Sequence, residues 1–514
     1  MVNTLPDKAY RRRIAAWALY DWANHGFVTV TATAFFPPYF VAIATPAFLA
    51  GAGAAQARAT ASDVYAFVVS AALLAVAVLA PFLGTVADLT GRRKRFLLVT
   101  TAVGAGLASA MAAVTTGRWV LALALYAAAQ IAVNVALGLN SSLLPHLARP
   151  ADVDRASALG YAMGYVGGGL LLTAATALYL GADRLGIDGG LAVRIAFLAV
   201  GAWWLGFAIP LAVALPEPPA VPLARGATGV AARDALIRLA RTLRDLRRRR
   251  ELFTMLLAFW LYMEGIGAII LLATAYGAAL GLPTSALVGT LLLTQFVAFP
   301  YAVAFGRIPD PTARWRGRAL AMVAWTAVTI PALGWVANAR GPLGVGTTLA
   351  LVAADQLLGL AFARAFGDAP FARLAGRLDT RGAIVLGLGV YALIPVWGYF
   401  LRTQAEFFLL GVLVGSVQGG TQALSRALYA TLAPRAKSGE FFGLYALSEK
   451  FAGILGPLLY GVVGQLTHNP RASILSVAVF LALGIVVLSR VDVTTGARLA
   501  AAEDEAIRAA HAAD

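Results

Sequence analysis

The sequence predicts an all-α polytopic membrane protein. Three observations carry that prediction. Of the 514 residues, 60% are hydrophobic and 13% charged, and a soluble chain of this size needs far more charge to cover its surface. Apolar runs of about 18 residues or more recur along the chain, each long enough to cross the roughly 30 Å hydrocarbon core. Lysine and arginine fall between these runs on alternate sides, as the orientation rule for membrane helices requires.

Fourteen spans follow, near residues 14–45, 63–88, 95–116, 119–147, 152–181, 191–216, 251–280, 285–306, 317–338, 345–367, 382–401, 405–432, 440–465 and 471–490. With the N-terminus in the cytoplasm, the outer loops hold only Arg58, Arg118, Arg184, Arg194, Arg340, Arg402 and Arg471. Arg426 and Lys450 fall inside spans. The other 32 of the 41 basic residues lie on the cytoplasmic side, and an even count leaves both ends there. A missed span would scramble this alternation. The chain opens on polar residues and its first span is too long for a signal h-region, so no cleavable signal peptide is expected. The lack of cysteine excludes disulfides, thiol catalysis and thiolate metal sites. The net charge of +16 is spread among the loops, which makes it an orientation signal and not a nucleic-acid one.

The first span contains YDWANHGFVTVTATAFFPPYF, Tyr20 to Phe40. Ionisable side chains are costly in a bilayer and usually face a cavity or a partner. Asp21 and His25 are four apart and share a helix face, with Asn24 beside them. Asp21 lies about 12 Å past Arg13, at roughly 1.5 Å of rise per residue. Thr29, Thr31 and Thr33 suit a wet or packed wall, and Pro37 and Pro38 suit a bend at the external mouth. The second span ends in GTVADLTGRRKR, Gly84 to Arg95. An aspartate and two arginines at such a corner can bridge to a neighbouring helix end. The fourth span puts Gln130 and Asn134 on one face. The fifth, GYAMGYVGGG, gathers Gly160, Gly164, Gly167, Gly168 and Gly169, and small residues let helix backbones approach and slide.

After the sixth span the chain becomes Pro-rich at PEPPAVP and then arginine-rich. Leu236, Leu239, Leu243 and Leu246 recur at helical spacing, which predicts an amphipathic helix lying on the inner membrane surface. The seventh span holds Glu264, the tenth Asp355, and the twelfth Gln418 and Gln422 on one face, with Arg426 nearer its cytoplasmic end. The thirteenth holds Glu449, Lys450 and, within GILGPLLYG, Pro457 at a kink. Asp21 and Glu264 are candidates for proton coupling, because a buried carboxylate can load and release a proton as access alternates. Structural pairing is the alternative for both. Lys450 could neutralise Glu449 or a solute carboxylate, and Asp355 reads as structural. The expected division is a bundle at 1–216, a cytoplasmic linker at 217–250, a second bundle at 251–490 and a cytoplasmic tail at 491–514.

GTVADLTGRRKR matches the cytoplasmic signature Gly-x-x-x-Asp-x-x-Gly-Arg-Arg, and here the chain resembles the major facilitator superfamily. YDWANHGF, GYAMGYVGGGLLL and the stretch from Gly415 to Gly461 more narrowly resemble its vacuole-effluxer-like branch, the unidentified major facilitator family. The resemblance implies two six-helix bundles that rock about a midplane site. Two spans beyond the usual twelve then form an inserted hairpin at about 307–370. The resemblance also implies that Gly84, Asp88, Gly91, Arg92 and Arg93 form a latch favouring the outward-open state. A second-half copy of the signature reads as split between GRIPD (Gly306 to Asp310) and ARLAGRLDTR, with Gly376 where the aspartate is expected.

By the same resemblance, the first, fourth, seventh and twelfth spans line a solute cavity. That assembles Asp21, Asn24, His25, Gln130, Asn134, Glu264, Gln418 and Gln422, with Lys450 from the thirteenth. The glycines Gly160, Gly164, Gly168 and Gly169, with Pro457, are then helix-packing residues. The fifth span is similar to the antiporter signature of exporters, with Tyr165 in place of its proline, and this favours export. The implied activity is secondary active transport of a small polar solute, with amino-acid efflux foremost and a proton as the coupling ion. A drug or sugar-like transporter is the alternative, and a transport-dead receptor or scaffold a distant one. No phosphate-binding loop is present for an ATP-driven pump. No hydrolase or zinc-protease motif is present either, so no enzyme activity and no cofactor are expected. A monomer in a bacterial-type plasma membrane completes the expectation.

Overall fold

The structure is a computed structural model that describes residues 6–49, 53–218, 232–246, 249–340, 343–368 and 370–513. Within helices a few side chains, that of Lys450 among them, lie outside the described set. The helices of the first half are α1 (Asp7–Gly26), α2 (Phe36–Ala44), α3 (Ala54–Thr90), α4 (Arg93–Ala110), α5 (Trp119–Leu147), α6 (Val153–Leu180) and α7 (Gly189–Ala214). A linker helix α8 (Ala232–Leu246) leads to α9 (Arg250–Ala279), α10 (Thr284–Phe305), α11 (Arg316–Arg340), α12 (Val345–Phe366) and α13 (Pro370–Ala375). The chain continues through α14 (Thr380–Phe400), α15 (Gln404–Leu432), α16 (Ser438–Phe451), α17 (Leu455–Thr467), α18 (Pro470–Ser476), α19 (Ala478–Leu488) and α20 (Val493–Ala513).

Among the described residues, 13 helical stretches are long and apolar enough to cross a membrane. The thirteenth predicted span is not one of them, because it is broken in two. α16 ends at Phe451, and α17 starts at Leu455 after a turn at Ala452 and Gly453. Pro457 explains the place of the break. Its nitrogen has no hydrogen for the carbonyl four residues back, and its ring clashes with that carbonyl, which belongs to Gly453. The two pieces, of 14 and 13 residues, together cover the predicted thirteenth span, and neither alone reaches the roughly 20 residues that a crossing needs. The first span is also irregular. Its backbone widens into a π-helical stretch over Phe27–Phe35, just where Pro37 and Pro38 withdraw two amides from the carbonyls before them. The two prolines stand at the start of α2, and the Phe36 amide just before them donates to the Thr31 carbonyl, five residues back. The Thr33 hydroxyl donates to the Val28 carbonyl at 2.8 Å inside the widened stretch.

The two halves repeat one packing plan. In the first half α1 packs on α6 and α7, α3 on α5, and α4 on α5 and α7. In the second half α9 packs on α16, α17 and α19, α10 on α15, and α14 on α15 and α19. The halves meet along α3 with α16 and, related by the same plan, α10 with α6. α11 and α12 have no counterpart. They pack on each other, and α11 lies along α15. They are the inserted hairpin. Asp355 serves inside it, accepting from Trp325 Nε1 at 3.1 Å and Gln356 Nε2 at 3.0 Å.

The start of α1 and the helix α20 lie on one face, called the terminal face below. There α8 packs on α3 and α9, burying Thr242 and Leu246 while Leu236 and Ile237 stay exposed. The predicted tail is helical. Glu503 on α20 bonds both Arg249 (Nη2, 2.7 Å) and Lys437 (2.9 Å). Burial pushes the Glu503 carboxyl up, but the bonds from Arg249 and Lys437 outweigh it and hold the group below the usual carboxylate range. A depressed carboxyl stabilises the fold above its unfolded value of about 4.3 and loses that contribution as the pH falls through the folded value. We therefore expect α20 to stay docked at pH 5 and to release only below about pH 4. Hydrogen exchange across residues 493–510 tests this, and release already at pH 6 would contradict it.

Candidate functional site

A cavity of about 320 Å³ lies between the halves. Its floor, toward the terminal face, is an ion pair. Arg426 on α15 donates from Nη1 to Asp21 Oδ2 on α1 at 2.9 Å, and both side chains are buried. The guanidinium is held on every side. Its Nε donates to the Ser157 hydroxyl and its Nη2 to the Ser157 carbonyl, each at 2.9 Å. It lies 4.4 Å from the Tyr161 ring centre and 4.9 Å from that of Trp17, a cation–π placement. Asp21 is held as firmly, since Asn140 Nδ2 donates to its other oxygen at 3.0 Å. α1 and α6 belong to one half and α15 to the other, so this pair ties the halves together.

The glycines of α6 make the arrangement possible. A Cβ at Gly160 would lie 2.4 Å from Asp21 Oδ2 and 2.7 Å from Arg426 Nη2. One at Gly164 would lie 2.5 Å from His25 Nδ1, and one at Gly168 2.6 Å from the Thr29 hydroxyl. Gly169 is less crowded, with its nearest neighbour, Gln295 Cβ, at 3.4 Å. His25 Nδ1 donates to the Asp21 carbonyl at 2.9 Å, which fixes its ring against this small-residue stripe.

Asp21, His25, Asn134, Gln418 and Gln422 all line the cavity. Gln422 accepts from the Tyr165 hydroxyl at 3.0 Å, a second tie between the halves. Above this polar floor the wall turns apolar, with Val28, Ile269, Leu291 and Phe407 toward the opposite face. Thr29 and Thr33 also line it, whereas Thr31 does not. Three expected members are elsewhere. Asn24 is fully buried but lines no part of the cavity, because it points about 100° away from its neighbour His25. Gln130 stands one turn beyond the stretch of α5 that faces the cavity, Asn134 to Ser141, and its carbonyl accepts from Asn134 Nδ2 at 2.6 Å. Glu264 faces α17 instead, with Oε2 accepting from the Gly456 amide at 2.9 Å. The Lys450 side chain lies outside the described residues.

The sequence reading did not count Arg426, Tyr161, Tyr165 and Glu449 as site residues, yet all four line the cavity. Arg426 had a visible signal. It stands four residues after Gln422, which is four after Gln418, so all three occupy one stripe of α15.

Nearer the terminal face the halves are clamped. Asp88 is buried and accepts from the Gly439 and Glu440 amides at 2.9 and 3.0 Å. These amides start α16, so the carboxylate caps a helix N-terminus in the other half. Arg93 Nε donates to Asp88 Oδ1 at 2.6 Å, and Arg93 Nη2 reaches the Ala436 carbonyl at 3.3 Å. Gly84 lets the segments touch, for a Cβ there would sit 2.1 Å from the Gly439 carbonyl oxygen. Gly91 ends α3 with φ 63°, a conformation that favours glycine. Arg92 does not join the clamp. It is exposed at the head of α4, because the left-handed Gly91 turns the chain so that only Arg93 points inward.

The related corner between α10 and α11 is weaker. Gly306 packs on α6, a Cβ there falling 2.3 Å from Ala158 Cβ. Asp310, however, accepts from its own loop at Thr312 and only approaches Arg155, at 3.5 Å. Asp88→Asn should weaken the strong corner by about 1.5–3 kcal/mol, the worth of hydrogen bonds to a charged group. The chain has no cysteine, so a single cysteine at Ser141, on the cavity wall, reports opening. It should react faster with a water-soluble maleimide from the terminal face in Asp88→Asn, and an unchanged rate would count against the latch.

Comparisons with known proteins agree with this architecture. The family model described as vacuole effluxer Atg22 like matches residues 9–364 and 356–501. The uncharacterized MFS-type transporter YxiO of Bacillus subtilis is 28% identical over 496 residues, spanning 95% of this chain and 96% of that protein. Autophagy-related protein 22 of Kluyveromyces lactis is 33% identical, but over 130 residues and only 26% of its length. Among solved structures, the proton:xylose symporter XylE matches with TM-score 0.61 over 94% of this chain and 95% of its own, at 12% identity. FucP in its outward conformation matches with TM-score 0.59 at 12% identity, over 94% and 98%. At that identity the structural likeness speaks for the fold alone. The family match spans nearly the whole chain, and the chain therefore belongs to the vacuole effluxer Atg22-like family of MFS-type transporters.

Proposed function

We propose that this transporter moves a small polar solute by alternating access, coupled to protons, with export of an amino-acid-like metabolite as the favoured activity. The observation that carries the reading is the Asp21–Arg426 pair at the floor of the interhalf cavity. It is a polar platform for a charged solute and a tie that must part for the terminal face to open. Asp21 in this arrangement acts as a lock, since its carboxylate is bonded to the guanidinium of the other half. Glu449 and the Asp21–Arg426 pair offer both signs of charge to a zwitterion, and the apolar upper wall accommodates a side chain.

We place the terminal face in the cytoplasm of a cell bounded by a plasma membrane, from the arginine distribution. The bundles are assigned to 1–216 and 251–490, and the protein to a monomer. Ligand-induced thermal stabilisation across amino acids, sugars and amphiphilic drugs tests the solute class. Proteoliposome uptake of the stabilising compound, with and without a proton gradient, then tests transport. Stabilisation by amphiphilic drugs alone would sink the amino-acid version, and binding without uptake would favour a receptor.

A further inference from the structure

Glu264 sits midway along α9, fully buried and away from the cavity wall. Its carboxylate receives the first amides of α17. Oε2 accepts from Gly456 at 2.9 Å, and the Leu455 and Ile454 amides also act on the group. Oε1 is buried and has no hydrogen-bond partner among the described residues. The broken helix is pressed onto α9 here. A Cβ on Gly456 would lie 2.5 Å from the Glu264 carbonyl oxygen, and one on Gly267 would lie 2.9 Å from the Ala452 carbonyl oxygen. The break between α16 and α17 is thus built around a single carboxylate.

No described cation balances it. On α9 itself, Tyr262 bonds Ser425 at 2.6 Å. Tyr445 and Glu449 on α16 face the cavity. Tyr460 on α17 has no described bond to the carboxylate, and Arg471 on α18 donates to the Tyr399 carbonyl at 3.0 Å. The partners of Glu264 among the described residues are backbone amides alone.

We propose that Glu264 is a proton-binding site separate from the solute cavity, and that its occupancy sets the bend between α16 and α17. Among the described residues an ionised Glu264 is met only by the positive end of a helix dipole, roughly half a charge, and the remainder is uncompensated by any of them in a buried position. One proton on Oε1 removes that charge, and no other atom is exchanged. The proton also weakens the cap, because charged acceptors hold amides about twice as strongly as neutral ones. The first turn of α17 then loosens. Glu449 stands three residues before the break and faces the cavity, so bending moves a wall of the solute site. This deepens the proton-coupled reading above and rests on it for meaning, though not for its test.

The test is pH-difference infrared spectroscopy on the full-length protein in lipid nanodiscs, with the proton as the only ligand. Wild type should show a protonated-carboxyl carbonyl band that titrates. Glu264→Gln, which keeps an acceptor for the Gly456 amide, should lose it, and Glu264→Asp should restore a shifted band. Amide exchange across residues 452–458, corrected for intrinsic rate, should rise on acidification in wild type and not in Glu264→Gln. Superimposable difference spectra for wild type and Glu264→Gln overturn the proposal. So does loss of the band in Asp21→Asn or Glu449→Gln instead. Neither readout needs a solute, so a negative result leaves the transport reading standing. Failed uptake, in turn, leaves the proton site standing.

Discussion

Arg426→Ala is expected to destabilise the closed terminal face by about 3–5 kcal/mol, because it strands a buried carboxylate. Asp21 would keep only the Asn140 amide, and the two bonds to Ser157 would be lost with the guanidinium. Asp21→Asn strands the opposite charge and should cost a similar amount. The double neutral variant Asp21→Asn/Arg426→Gln should recover much of either loss, since replacing a whole buried pair is often nearly neutral while breaking it is not. The double-mutant cycle of Asp21→Asn, Arg426→Gln and their combination, followed by thermal unfolding, measures this coupling. A near-zero coupling energy would show that the two side chains do not depend on each other. Transport should fall in all three variants, because each removes part of the cavity floor, and stability alone separates the lock from the platform.

Gly160→Ala should be the most damaging single-methyl change in α6. The added carbon would lie 2.4 Å from one ion-pair atom and 2.7 Å from another, and neither can move, since each is bonded elsewhere. Overpacking of this kind costs about 1–3 kcal/mol. Gly169→Ala, with its nearest contact at 3.4 Å, is the control and should be close to neutral. Equal unfolding temperatures for the two variants would show that the stripe is only loosely packed. A faster maleimide reaction at a Ser141→Cys reporter in Gly160→Ala would show that relief comes from opening the lock.

Much of the fold was legible because membrane helices announce themselves by length and hydropathy, and the loops by arginine. The glycine stripe of α6 was legible too, and its partner on α1 proved to be the face that carries Asp21 and His25. The site was less so. Arg426 was visible inside a span, nearer its cytoplasmic end, but nothing in the sequence named its partner. Which bundle it would reach across to is set by Ser157 and Gly160, residues with no charge to betray them. Asn24 and Gln130 were drawn into the site as polar residues on spans that the resemblance lines along a cavity, while the direction each faces depends on how its helix is rotated by its neighbours. The break after Phe451 sat within an apolar run with one proline. The carboxylate that meets the amides so released belongs to Glu264, which is distant in sequence.

The two terminal-face corners are not equals. One holds a carboxylate against the two leading amides of α16, and its counterpart has turned its aspartate back on its own loop. Unequal fastenings make a hinge of the stronger one. The halves are expected to part first along α6 and α10 and to swing about the α3–α16 seam, so that the opening is a wedge and not a parallel slit. Spin-label pairs across the two seams should lengthen in that order. A solute leaving by this route would pass beside Arg155 and Asp310, which gives the degraded corner the character of a doorway.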